Sequence, residues 1–163
     1  MIVYHGSTEI IKSPDVVHSK KYLDFGRGFY ITTFENQAKK WAVRKGMRQE
    51  KAAIVNVYEL SEEWDDFKVL SFEKENEKWL DFVCACRKGQ PLNKEYDIII
   101  GNVADDDVFK TVDMYFRGLW DKEKVLSELR YYKMNNQICI ANQEILNKLI
   151  TFKRSYEVKS NGR

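Results

Sequence analysis

Asp24-Phe25-Gly26-Arg27-Gly28-Phe29-Tyr30-Ile31-Thr32-Thr33 sets two glycines one residue apart directly before a run of β-formers. Glycine reaches backbone conformations closed to other residues, and aromatic and β-branched side chains favour a pleated surface. The stretch therefore predicts a tight turn feeding a strand. A G-x-G that leads into a strand lacks the third glycine and the strand-to-helix order of a dinucleotide fingerprint. No Walker pattern occurs either, which excludes a P-loop.

Upstream, Ile2 to Tyr4 predicts a short strand, broken at His5-Gly6-Ser7 and followed by a polar loop over 8–23 that contains Pro14, Lys20 and Lys21. Downstream, Thr32-x-x-Glu35 has capping-box spacing and predicts a helix to about Lys45, with Gly46 as its stop. Ala38, Trp41 and Ala42 share one face of that helix. Alternation predicts strands over 53–60 and 67–72, an amphipathic helix over 73–87 and a strand over 96–103. Helices over 106–117 and 121–132 follow, then a strand over 137–141, a brief helix capped by Asn142 and a closing strand over 150–158. Several strands lie too close together for βαβ crossovers, so the order argues for an α+β fold with antiparallel or mixed sheets. One domain over 1–158 with a frayed tail at 159–163 is expected.

The chain has 163 residues, 44% hydrophobic and 13% aromatic, enough to build a core without a metal or disulfide staple. Its 27 Lys and Arg against 25 Asp and Glu give a net charge of +2, too balanced to argue for a nucleic-acid or membrane-surface protein. The basic residues are scattered and charge-paired, without an RNA-binding aromatic motif. Three cysteines without paired spacing and two histidines offer no zinc set, so the expectation is reduced, buried thiols and no metal. No uncharged apolar run approaches the roughly 20 residues of a membrane span. The opening Met1-Ile2-Val3-Tyr4-His5 has no basic segment followed by an apolar one. A soluble, cytoplasmic protein is expected, with no membrane partner.

Three local features carry chemistry. His5 precedes Gly6, whose missing Cβ lets a ligand approach the backbone. The G-x-G block ends on Tyr30, and Gln137 opens the short apolar stretch Gln137-Ile138-Cys139-Ile140. In this order, His5-Gly6-Ser7, Phe25-Gly26-Arg27-Gly28-Phe29-Tyr30 and Ala38-x-x-Trp41-Ala42 resemble the ADP-ribosyltransferase superfamily, in its diphtheria-toxin and poly(ADP-ribose)-polymerase branch. With Val103-Ala104-Asp105-Asp106 included, the chain looks most like a small bacterial family of undefined function within that superfamily. The match is sharp over about residues 3–42 and extends over 96–152.

The resemblance implies a split pair of small, mostly antiparallel sheets with NAD+ bound in the cleft between them. By carry-over, the Gly6 backbone would bind the nicotinamide amide and His5 the adenine-side ribose. Tyr30 and Trp41 would flank the pyridinium ring, a cation–π arrangement worth roughly 0.5–2 kcal/mol. Ser7 and Thr32 would supply hydroxyl contacts. The reaction implied is transfer of ADP-ribose from NAD+ to an acceptor through an oxocarbenium-like state, with His5, Tyr30 and Gln137 in the catalytic positions.

Gln137 is a departure, because relatives carry a glutamate there. A neutral amide can bind a ribose hydroxyl but carries no charge to offset the oxocarbenium ion, and losing one such partner costs on the order of 10²–10³ in rate. Three readings follow: slow transfer, a substitute carboxylate from Glu144, Asp105 or Asp106, or nucleotide binding without catalysis. Asp105–Asp107 as helix-capping acids outweigh the same cluster as a Mg²⁺ site. A Gln137→Glu change is expected to raise NAD+ cleavage if the alignment holds. The acceptor is left open among protein, nucleic acid and small molecule. So is the role, whether toxin with an antitoxin or other partner protein, defence factor or housekeeping enzyme.

Overall fold

A computed structural model describes residues 1–18, 23–74, 76–104, 106–129 and 135–159. Over these residues the chain is α+β, with seven strands, five α-helices and a 3-10 turn at Leu92–Glu95. The strands are β1 (Ile2–Ser7), β2 (Phe29–Ile31), β3 (Ile54–Leu60), β4 (Val69–Ser71), β5 (Ile98–Gly101), β6 (Gln137–Ile140) and β7 (Ile150–Glu157). The helices are α1 (Glu35–Gln49), α2 (Glu77–Arg87), α3 (Asp106–Phe116), α4 (Lys122–Leu129) and α5 (Gln143–Leu149).

Two sheets form, in strand orders β1-β3-β7 and β2-β6-β5-β4. Every pairing is antiparallel except that of the edge strand β4 with β5. The sheets face each other across one core in which Val3, Tyr58 and Leu60 of the first meet Phe29, Ile31, Ile98, Ile138 and Ile140 of the second, with α5 closing one side. The outer face of the first sheet carries α1, where Ala38 and Ala42 pack on Val55 and Val57. The outer face of the second sheet packs Ile99 and Cys139 against α2, α3 and α4. Helix, sheet, sheet and helices are therefore stacked in that order.

Several boundaries differ from the sequence reading. His5, Gly6 and Ser7 do not break β1, because each is paired, with Asn56, Val55 and Ile54. Gly46 does not end α1, which runs on to Gln49 and turns at Glu50 in the left-handed region, φ 53°. Its glycine serves close packing, since a Cβ there would meet the Lys51 carbonyl oxygen at 2.8 Å. No capping box forms, and Phe34 is the N-cap without a side-chain cap. Thr32 Oγ1 accepts from the Phe34 N–H at 3.1 Å, and Glu35 instead accepts from the Tyr156 hydroxyl at 2.5 Å. Helix α2 starts at Glu77, where Asn76 caps it by accepting from the Trp79 N–H at 3.0 Å. Residues 8–18 are held to β3: Asn56 bonds Ile11 and Glu9, and the Tyr58 hydroxyl donates to the Ile11 carbonyl. The expectation of a helix to 132 runs past residue 129 into 130–134, and most of the tail, 160–163, likewise lies outside the described residues.

The three cysteines are free and buried. Burial is the main cause raising their thiol pKa values, to about 11 for Cys84 and about 12 for Cys86 and Cys139. No described helix is long and apolar enough to cross a membrane.

Candidate functional site

The two sheets touch edge to edge at one place. Tyr4 and Thr32 exchange both backbone hydrogen bonds, at 2.8 and 3.0 Å, and no further bridge joins β1 to β2 among the described residues. The register explains which atoms this seam presents. The Leu60 N–H donates to the Met1 carbonyl, so the odd-numbered residues of β1 are its hydrogen-bonded partners of β3. Tyr4 and Gly6 turn their N–H and C=O the other way, toward β2.

Side chains alternate across a strand, so Gly6 shares the outer face with Tyr4, while Tyr30 shares it with Thr32. Tyr30 lies opposite Cys139, and Gln137 shares the face of Cys139. Gly6, Tyr30, Thr32 and Gln137 therefore line the outer side of the seam, between α1 and the α2–α4 layer. His5 points to the inner side, where its ring stacks on Phe29 with centroids 4.5 Å apart.

Gly6 is glycine because α1 crosses directly over it. A Cβ there would stand 2.3 Å from the Ala38 carbonyl oxygen, 2.7 Å from the Ala42 nitrogen and 2.9 Å from the Trp41 Cβ. The same packing brings Trp41, half-buried, beside the Gly6 backbone. Lys45 donates its ammonium to the Gly6 carbonyl at 2.8 Å, so one cation already occupies that edge acceptor.

His5 lies 2.6 Å through Nδ1 from the Tyr30 carbonyl oxygen. A carbonyl only accepts, so Nδ1 carries the proton and Nε2 keeps a lone pair. The His5 pKa is lowered from 6.5 to about 3, by burial first and by the Lys45 charge second, against the opposing pull of the Tyr30 carbonyl. His5 is a neutral acceptor at physiological pH.

Tyr30 is half-buried, and its hydroxyl holds the glycine turn closed. It donates to the Gly26 carbonyl at 2.5 Å and accepts from the Phe25 N–H at 3.0 Å. Gly26 sits at φ +76°, which few side chains tolerate, and that geometry aims its carbonyl at the ring. Burial, then the neighbouring Cys139 and Asp24, push the Tyr30 pKa well up, so the phenol stays protonated.

The remaining predicted residues divide. Thr32 is fully buried, and its hydroxyl donates to Asn136 Oδ1 at 2.8 Å while accepting from Phe34. Ser7 is half-buried, and its Oγ accepts from the Glu9 N–H at 3.3 Å. Gln137 is buried and donates through Nε2 to Asp24 Oδ2 at 3.0 Å. Glu144 is exposed in the first turn of α5. Asp105 and the Asp106 side chain lie outside the described residues. Among the described residues no group of three or more His, Cys, Asp and Glu could hold a metal ion.

Sequence reading missed Gln37, Asn136, Asp24 and Arg87, which organise the seam. Asn136 bonds Thr32, the Thr33 N–H and hydroxyl, and both ends of the Gln37 amide, which ties the start of α1 to the start of β6. Buried Asp24 and half-buried Arg87 form an ion pair behind Gln137. None of the four has a local signature; only Asp24, adjoining the glycine block, stands beside a motif.

Two shallow surface depressions lie away from the seam, one beside Asn76, Glu77, Lys78 and Asp81, the other between Met47 and Val158. Among curated proteins, no match to the chain was found. Residues 1–152 match a family described as a protein of unknown function (DUF3990), and the chain belongs to that family.

Proposed function

We infer that the chain is an NAD+-dependent ADP-ribosyltransferase-like protein of the superfamily its motifs resemble, with the nicotinamide half of NAD+ bound at the seam. One observation carries the reading. Residues far apart in sequence, Gly6, Tyr30, Trp41 and Gln137, gather on the outer side of a single strand junction, with neutral His5 anchored to the Tyr30 carbonyl. In this reading the Gly6 edge takes the carboxamide, which requires Lys45 to leave the Gly6 carbonyl. Tyr30 and Trp41 bracket the ring on the outer side, while His5, which faces the inner side, takes the adenine-side ribose on Nε2 where the dinucleotide crosses the junction. Thr32 is fully buried with its hydroxyl engaged and acts on the ligand only after rearrangement, while Ser7 is half-buried and its hydroxyl accepts only from the Glu9 N–H.

A catalytically weak or silent nucleotide-binding module is favoured by a separate observation. Gln137 supplies no charge, and its amide nitrogen is tied to Asp24. The acceptor is a protein, a nucleic acid or a small molecule, the setting cytoplasmic, and an antitoxin or other partner protein belongs to the same proposal.

Nicotinamide release from NAD+, followed by chromatography with a labelled adenylate moiety, tests the reading. Release together with label transferred to a lysate component supports transfer. Binding without release supports the module. Neither binding nor release removes both.

A further inference from the structure

The outer side of the seam holds a carboxylate in addition to Gln137. Asp24 is 8% exposed, and all its acceptor directions are used. Oδ1 accepts from Arg87 Nε at 2.9 Å and from the same guanidinium's Nη2. Oδ2 accepts from the Ala104 N–H at 2.9 Å and from Gln137 Nε2 at 3.0 Å. Gln137 Nε2 also lies 3.4 Å from the Asn102 carbonyl oxygen. Both neighbours of that nitrogen are pure acceptors, so the amide has one sensible orientation, with its NH2 toward Asp24 and Oε1 away. Oε1 takes no hydrogen bond among the described residues, yet no buried side-chain oxygen among them lacks a partner. Oε1 is thus not fully buried and keeps a free acceptor direction, although Gln137 as a whole is only 4% exposed.

We propose that Asp24 is the positioning residue of this site: it locks the Gln137 amide with Oε1 outward and strengthens that oxygen as an acceptor for a ribose hydroxyl. The proposal rests on the transferase reading given above. Hydrogen-bonded groups in a low-dielectric interior polarise one another, so a carboxylate on the amide N–H makes its oxygen more negative. Arg87 balances part of the Asp24 charge, so Oε1 holds a hydroxyl better than it offsets a full positive charge. The consequence is a slow transferase. As the C1′–N bond breaks, its electron pair leaves with neutral nicotinamide. The acceptor's nucleophile then bonds C1′ and loses its proton to solvent. Gln137 accepts a ribose hydroxyl that becomes a stronger donor as positive charge builds on the ribose, so the bond tightens in the transition state while Gln137 changes no bond of its own.

The test measures nicotinamide release and NAD+ affinity on the full chain, with folding checked by circular dichroism, for the wild type, Asp24→Asn and Gln137→Met. Gln137→Met removes the oxygen but leaves Asp24 its bonds to Arg87 and Ala104, so the test survives poor folding of Asp24→Asn. Both variants are expected to lower release about 10²-fold while affinity changes by less than about threefold. The double variant should be no slower than either single one, because both act through one atom. Wild-type release by folded Gln137→Met, or by folded Asp24→Asn, overturns the proposal. So does NAD+ binding by the wild type without release, a result that leaves the binding module standing. Absence of NAD+ binding instead removes the functional reading, and this proposal with it.

Discussion

His5 donates its Nδ1 proton to the Tyr30 carbonyl across 2.6 Å, at the point where β1 and β2 stop pairing. The bond fixes the tautomer, and its buried setting keeps the ring neutral. The folded-state pKa, about 3, lies below the ordinary 6.5, so between those values the unfolded chain binds the extra proton. Stability from this source is full above pH 6.5 and is lost as pH falls toward 3, with a slope approaching about 1.4 kcal/mol per pH unit. In urea titrations at pH 7 and pH 4, the wild type should lose more stability than His5→Gln. Parallel losses contradict the buried neutral imidazole.

Gly6→Ala should be destabilising well beyond its size. The new methyl would meet backbone atoms of α1 at 2.3 and 2.7 Å, and backbone cannot swing aside as a flexible side chain does. Overpacking of this kind costs roughly 1–3 kcal/mol or more, readable as a lower urea midpoint with unchanged slope. A midpoint equal to that of the wild type would show that α1 does not rest on this strand.

Gln137→Glu should lower stability before it can raise activity. It removes the N–H that Asp24 accepts and puts a second carboxylate about 3.0 Å from the first. An uncompensated buried charge costs roughly 3–5 kcal/mol. Burial and the Asp24 charge raise the pKa of the introduced acid, so the penalty is full at high pH and fades as pH falls toward about 4.3. The difference in urea midpoint from the wild type at pH 8 and pH 5 reads it directly. A variant as stable as the wild type at pH 8 would dissolve the Asp24–Gln137 contact.

The cysteine thiols should be slow to react with a disulfide reagent in the native protein and quick in urea. All three are buried, and burial raises their pKa values, to about 11 for Cys84 and about 12 for the other two. Rapid native labelling of Cys139 would mean that the outer face of the second sheet opens readily.

The fold class and the order of elements were legible because amphipathic periodicity and the glycine block are local signals. The boundaries of α1 were not, since Gly46 stays helical to let the Lys51 backbone approach and Glu35 answers Tyr156, 121 residues away. His5-Gly6-Ser7 read as a break because glycine suggests a turn, yet pairing with β3 decided the outcome. Tyr30 and Gln137 stood out through motif order. Asp24 meets Gln137 across 113 residues and Asn136 meets Thr32 across 104, and nothing in the local sequence announces such contacts.

The most direct measurement is a calorimetric titration with NAD+ beside nicotinamide, on the wild type and Trp41→Ala. Trp41 is half-buried and belongs to none of the three cores, so its loss should spare the fold. Saturable binding of NAD+ by the wild type is expected, weakened about tenfold or more in Trp41→Ala as the aromatic face is lost. No heat up to about millimolar NAD+, the weak limit of specific affinity, or equal binding by both proteins, would contradict a nucleotide site at the seam.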